Sequence, residues 1–127
     1  MATLYSEILL DHFRHPRNYG ELAAPDISHE NFNPLCGDRI RIALKLNQEI
    51  VEEARFKGDG CAISTAAASL LTELIRGSHI GEVAALSDDQ LLAALESDIK
   101  PARLPCALLA LNALRAGLKE YSTTESE

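Results

Sequence analysis

Two stretches of alternation set the pattern of this chain. Over residues 39–46, Ile40, Ile42, Leu44 and Leu46 take every second position, with Arg39, Arg41 and Lys45 between them. That is the period of a half-buried strand. After the turn at Asn47-Gln48-Glu49, residues 50–57 alternate again, with Ile50, Ala54 and Phe56 on the expected core face. Two such runs so close together predict an antiparallel hairpin. Elsewhere the period is helical. Residues 3–14 place Leu4, Ile8, Leu9 and Phe13 on one face, and Pro16 ends that helix. A small-residue helix over 62–76 brings Ala66, Leu70, Leu74 and Ile63 or Ala67 to one side, with Arg76-Gly77 as its stop. Ser78 starts a short helix, and Ser87-Asp88-Asp89-Gln90 has the form of a capping box for another that runs to about Ser97. Two prolines make 98–105 a loop, and a last helix over about 106–120 turns Leu108, Leu111, Leu114 or Leu118 inward. Residues 21–35 are expected to be irregular with at most a short strand. The predicted class is α+β, a small antiparallel sheet of about three strands packed against an N-terminal helix and C-terminal helices. A single domain is expected over residues 1–121, followed by a short disordered acidic tail at 122–127.

Composition narrows the function classes. With 19 acidic against 12 basic residues the chain carries −7, so no nucleic-acid partner is expected. No apolar run approaches the roughly 18–20 residues of a membrane span, so no membrane partner is expected either. The first helix already carries Glu7 and Asp11, unlike a signal peptide. The expected compartment is therefore the reducing cytoplasm, where three cysteines argue against structural disulfides. They leave metal binding, thiol chemistry or simple burial.

The three thiols stand at the ends of regular elements, beside Gly or Pro. Cys36 lies in Asn33-Pro34-Leu35-Cys36-Gly37-Asp38, on the turn that opens the first strand of the hairpin. Cys61 follows Gly58-Asp59-Gly60, and Cys106 follows Pro105. Cys61 and Cys106 fall at expected helix N-termini, where the dipole and unpaired N–H groups favour a thiolate. Thiolate is the form that binds metal or attacks sulfur. Asp38, two residues after Cys36, offers a hard oxygen beside soft sulfurs. Three sulfurs and one carboxylate make four potential ligands for a thiophilic metal. A carboxylate in place of a fourth sulfur makes that bond easier to exchange, which suits a site that must release what it holds. As small buried apolar residues the cysteines would need no such company of turn residues. Arg103, close in sequence to Cys106, would favour the charged forms of the thiols and Asp38 and draw Asp38 away from a metal. The alternative for Arg103 is a solvated loop charge. His12 and His15 are expected to position the end of the first helix, His29 and His79 to lie at the surface, and Asp59 to shape its turn.

These segments together resemble the IscU/SufU/NifU N-terminal family of iron–sulfur cluster scaffolds over nearly the whole chain. Tyr5 and Asp11-His12-Phe13-Arg14-His15-Pro16-Arg17-Asn18-Tyr19-Gly20 resemble the family's N-terminal helix and its D-H-[YF]-x-x-P-R-N-x-G motif. Asn33 to Asp38 match N-P-x-C-G-D, the run from Ala54 to Ser64 resembles the strand and the G-C-A-I-S segment, and Cys106 falls at the third cysteine. The resemblance implies that Cys36, Cys61 and Cys106 are metal or cluster ligands with Asp38 beside them, and that each cysteine is a candidate sulfur acceptor. It implies a cysteine desulfurase of the IscS or SufS type and recipient apo iron–sulfur proteins as partners, with a transient [2Fe–2S] cluster or Zn2+ bound.

Two departures divide the possible mechanisms. Where IscU proteins carry a His before the third cysteine, this chain has Pro105, and Pro101-Ala102-Arg103-Leu104-Pro105-Cys106-Ala107 resembles the SufU pattern, with Arg103 in the SufU place. Yet the chain has no room for the insertion usual in SufU proteins between the second and third cysteines, and it lacks the Leu-Pro-Pro-Val-Lys segment with which IscU meets its Hsp70 chaperone. The first expectation is a scaffold or carrier, not an enzyme, that builds a labile [2Fe–2S] cluster from desulfurase sulfur and iron and passes it to apo-proteins. The second is a zinc-dependent sulfurtransferase that relays persulfide. A thiol hydrolase or redox enzyme fits poorly, since no C-x-x-C pair and no cysteine–histidine dyad stands in the sequence. The Ala-rich helices suit a monomer or a weak homo-oligomer.

Overall fold

The computed structural model describes residues 5–34 and 37–125. A three-stranded antiparallel sheet lies at its centre, in the order β1 (Ile27–Asn33), β2 (Asp38–Asn47) and β3 (Ile50–Asp59). The helices are α1 (Glu7–Arg14), α2 (Ala62–Ile75), α3 (Ile80–Ala84), α4 (Asp88–Leu95) and α5 (Leu104–Glu125), with a 3₁₀ turn at Pro101–Arg103 before the last. Helices α2 and α5 cover the inner face of the sheet, and α1 and α4 pack on α2. The α+β class and the three strands are as the alternation predicts.

In β2 the apolar positions Ile40, Ile42 and Leu44 are fully buried. The turn to β3 has two residues, Gln48 and Glu49, with φ of 53° and 67°. Positive φ at both positions is the backbone that matches the twist of a hairpin. The expected inward place of Ile50 is not observed: Ile50 is 38% exposed and Val51 is buried in its stead. The cause is a bulge. Lys45 pairs with Glu53 but Leu46 pairs with Val51, so Glu52 is an extra residue that reverses the faces before it.

Strand β1 spans seven residues, longer than its polar sequence suggests. Only Ile27 in it is buried; β1 is held by its ladder to β2 and by α5 lying across it. In α2, ten of fourteen residues are buried, because neighbours lie on several sides and its alanines and serines admit them closely. Leu74, expected inside, is 41% exposed instead.

The first helix begins at Glu7, with Ser6 as its N-cap, and Leu4 lies outside the described residues. Leu9 is buried and Ile8 partly so, but Phe13 is 42% exposed and His12 takes the inward place. The histidine Nδ1 lies 2.7 Å from Ser69 Oγ, which also accepts the Arg17 backbone N–H at 2.8 Å. Asn18 Nδ2 donates to Thr72 Oγ1 and Glu73 Oε2, both at 3.1 Å. Asn18 and Gly20 exchange backbone hydrogen bonds with Phe56, and Tyr19 meets the Phe56 ring edge-on at 5.1 Å. The N-terminal motif thus ties α1 to α2 and covers the edge of β3.

The capping box predicted at Ser87 is formed, with Gln90 reciprocating. Helix α5 begins at Leu104, earlier than expected, since a proline in the first turn lacks only an N–H that would have no helical partner. It runs through Glu125, so the backbone of 122–125 is helical where an irregular tail is expected, and residues 126 and 127 lie outside the described residues. Among the described residues no helix is long and apolar enough to cross a membrane.

Two measurements test this packing. A Cβ on Gly58, at φ +147°, would stand 2.0 Å from the Arg39 carbonyl oxygen on the paired strand. Gly58→Ala is therefore expected to destabilise the fold by about 3 kcal/mol in urea unfolding, against about 1 kcal/mol for Gly77→Ala, whose surroundings are open and whose cost is the strain of φ +84° alone. His12 has its pKa lowered from the ordinary 6.5, first by burial and then by the charge of Arg17. The neutral ring is the form the fold holds, so its contribution is complete above pH 6.5 and lost as pH falls through the lowered folded value. Unfolding free energy should fall from about pH 7.5 to about pH 5.5 in the parent chain, and fall less in His12→Gln.

Candidate metal centre

The end of the sheet where β2 begins and β3 finishes brings three polar groups together. Asp38 opens β2 and is 6% exposed. Cys61 is the N-cap of α2, its sulfur accepting the Ser64 backbone N–H at 3.5 Å. Cys106 lies in the first turn of α5 and is 3% exposed. One carboxylate oxygen and the two sulfurs all lie within 4.8 Å of one another. Among the described residues this is a group of metal-ligating type drawn from three elements far apart in sequence, and its members are three of the four ligands the sequence proposes. Cys36, the fourth, lies outside the described residues.

Backbone geometry makes this approach possible. Gly37, at φ +79°, donates its N–H to the Asn33 carbonyl at 2.8 Å and delivers the chain to Asp38. At Gly60 a Cβ would come within 2.9 Å of Ser64 Cβ and 3.7 Å of the Asp38 carboxyl carbon. The missing side chain lets β3 pass into α2 directly beside Asp38.

Arg103, at the end of the 3₁₀ turn, is exposed, and its side chain hydrogen-bonds Cys106. That hydrogen bond, and then the charge of Cys61, push its pKa above the ordinary value, so it is a permanent cation at the thiols; Tyr5 contributes in the same direction. Ser64, which has no assigned role in the sequence motifs, sits at the centre of the group. It is 1% exposed, and its hydroxyl donates to Asp38 Oδ2 at 2.5 Å and lies 3.4 Å from Cys61 Sγ. Its place three residues after Cys61 is the signal that was present: it is the position whose N–H an N-cap side chain receives.

The histidines stand elsewhere. His12 is bound to Ser69, His29 pairs with Glu120 at 2.6 Å, and His79 caps α3 by accepting the Gly81 N–H at 2.9 Å. Asp59 is exposed and pairs in register with Arg39. Two sulfurs and a carboxylate oxygen at this separation suit one thiophilic ion: four ligands at about 2.0–2.3 Å from a tetrahedral centre lie somewhat under 4 Å apart, so closing requires about an ångström.

The chain is similar to known proteins over most of its length. The zinc-dependent sulfurtransferase SufU of Bacillus subtilis (strain 168) is 40% identical over an alignment of 135 positions that takes in 93% of this chain and 91% of that protein. The iron–sulfur cluster assembly scaffold protein IscU of Escherichia coli (strain K12) is 35% identical over 126 positions, 94% of each chain. A nitrogen-fixing NifU-like protein (N-terminal) of Brucella abortus shares the fold, with a TM-score of 0.77 at 20% identity over 94% of this chain and 95% of that one. The family model for the NifU-like N terminal domain matches residues 4–127, and with it a sheet end that gathers Asp38, Cys61 and Cys106, so the chain belongs to the NifU-like N-terminal domain family.

Proposed function

We propose that this protein is an iron–sulfur cluster assembly scaffold, in which Cys36, Cys61 and Cys106 with Asp38 hold a labile [2Fe–2S] cluster as cargo. The observation that carries the reading is the convergence of Asp38, Cys61 and Cys106 within 4.8 Å. The relative named as the scaffold IscU supports it at 35% identity. Cys36, two residues before Asp38 in sequence, completes the donor set.

Sulfur reaches such a site from a cysteine desulfurase. A site thiolate attacks the outer sulfur of the desulfurase persulfide, a new S–S bond forms on this chain, and the desulfurase cysteine leaves as thiolate. Thiolate is the nucleophile in that step, and the Arg103 cation beside Cys106 stabilises it. The Asp38 oxygen is the hardest and most replaceable of the four donors, which favours hand-over to apo iron–sulfur proteins. The desulfurase of IscS or SufS type and those recipients are the partners, in the cytoplasm.

A second reading is favoured by two observations. The ligand atoms lie close enough for a single ion, and the relative named as the zinc-dependent sulfurtransferase SufU is 40% identical. In that reading the same side chains hold Zn2+, which when bound acts as a Lewis acid that keeps the thiols deprotonated. The protein's own part is then to present a cysteine to the persulfide, with the Arg103 cation beside Cys106 to stabilise the thiolate.

Purification without oxygen, followed by metal analysis and addition of desulfurase, cysteine and ferrous iron, separates the two. Scaffolding predicts visible sulfide-to-iron charge-transfer bands that Cys36→Ala, Cys61→Ala or Cys106→Ala abolishes. Stoichiometric zinc that persists, no cluster, and faster desulfurase turnover would establish the relay instead. Asp38→Ala is expected to lengthen the lifetime of the bound cluster in transfer to an apo-ferredoxin, because the exchangeable oxygen donor is gone; a shorter lifetime would contradict the role given to the carboxylate.

A further inference from the structure

We infer that Ser64 is the positioning residue of this site, holding the Asp38 carboxylate and the Cys61 sulfur on one point. The inference rests on the proposed use of those two side chains as ligands and names the group that sets their geometry.

Three contacts converge on this one residue. The hydroxyl donates to Asp38 Oδ2 at 2.5 Å, the same oxygen atom of Ser64 lies 3.4 Å from Cys61 Sγ, and the Ser64 backbone N–H donates to that sulfur at 3.5 Å. The residue is 1% exposed and its Cβ stands where a side chain at position 60 would collide with it, so its position is fixed by packing. Nothing in the architecture of α2 requires a hydroxyl there. Alanine is the better helix former and would fill nearly the same volume, as it does at Ala66, Ala67 and Ala68 on the same helix. A buried helical serine ordinarily satisfies its hydroxyl on a carbonyl one turn back; this one is aimed out of its helix at a carboxylate on another element.

A hydroxyl has one proton, and the carboxylate receives it. Asp38 is thereby held by one oxygen in a defined orientation, while Cys61 is held by the backbone N–H of the same residue. A carboxylate and a sulfur that approach from different strands and helices are in this way referred to a single rigid turn. Groups that orient metal ligands through hydrogen bonds commonly govern affinity by 10–100-fold.

Titration of the reduced, metal-free protein with Co(II) tests this, read from the thiolate-to-cobalt charge-transfer band. Ser64→Ala is expected to bind Co(II) about tenfold more weakly while the band survives, since the thiols remain. In an Asp38→Ala background the same substitution should cost less than about twofold, because the group it orients is gone. Loss of a helix or of core packing would not distinguish those two backgrounds. Ser64→Thr, which keeps the hydroxyl, should stay near the parent affinity and secures the result if Ser64→Ala melts much lower without metal. Affinity of Ser64→Ala equal to the parent, an equal loss with and without Asp38, or a Thr variant as weak as Ala would each overturn the inference. A parent protein that binds Co(II) without the band, or a band unchanged in Cys61→Ala, would overturn the ligand reading itself and this inference with it.

Discussion

The hydrogen bond from Ser64 to Asp38 joins the first residue of β2 to the first turn of α2, and much of the molecule is arranged so that it can form. A carboxylate only 6% exposed must be paired or hydrogen-bonded, since a lone buried charge costs several kcal/mol. Placing a donor there demands that β3 run straight into α2 without a long loop. It also demands glycine at 58 and 60, where a Cβ would strike Arg39 or Ser64. The close approach that serves the fold also delivers two potential ligands to one place.

The sulfur positions follow from helix ends. Cys61 is an N-cap and Cys106 sits in a first turn, so both present sulfur where backbone N–H groups lack helical partners. A thiol used in this way is partly a structural group, with Cys106 buried and Cys61 partly buried. Alanines are frequent among the buried residues of α2 and α5, beside larger leucines. Arg103 reaches in from the exposed side. The centre therefore has a hydrogen-bonded polar floor and one cationic side chain on a short turn at its edge.

The N-terminal motif has a different task. Among the described residues, His12, Arg17, Asn18 and Tyr19 contact Ser69, Thr72, Glu73 and Phe56, none of them a candidate ligand. Its chemistry-bearing side chains serve to hold α1 against α2 and to close the edge of β3. Cys61 and Ser64 lie toward the other end of the same helix α2.

Local information in the sequence was sufficient for the elements whose pattern is set by their own neighbours. The alternation of β2 up to Ile42, the capping box at Ser87 and the stop at Gly77 rest on contacts within a few residues, and all are present. The resemblance in ordered motifs also named Asp38, Cys61 and Cys106 together. The exposure of Ile50, Phe13 and Leu74 was not legible, because a bulge at Glu52 and the packing of α1 on α2 are decided by partners distant in the chain. Strand β1 was nearly invisible for the same reason: its polar sequence becomes a strand through pairing with β2 and cover from α5. Ser64 is the sharpest case. Its sequence position marks it as a residue near a cap, but only the tertiary fold sets Asp38 within reach of its hydroxyl, because that contact joins residues 26 positions apart.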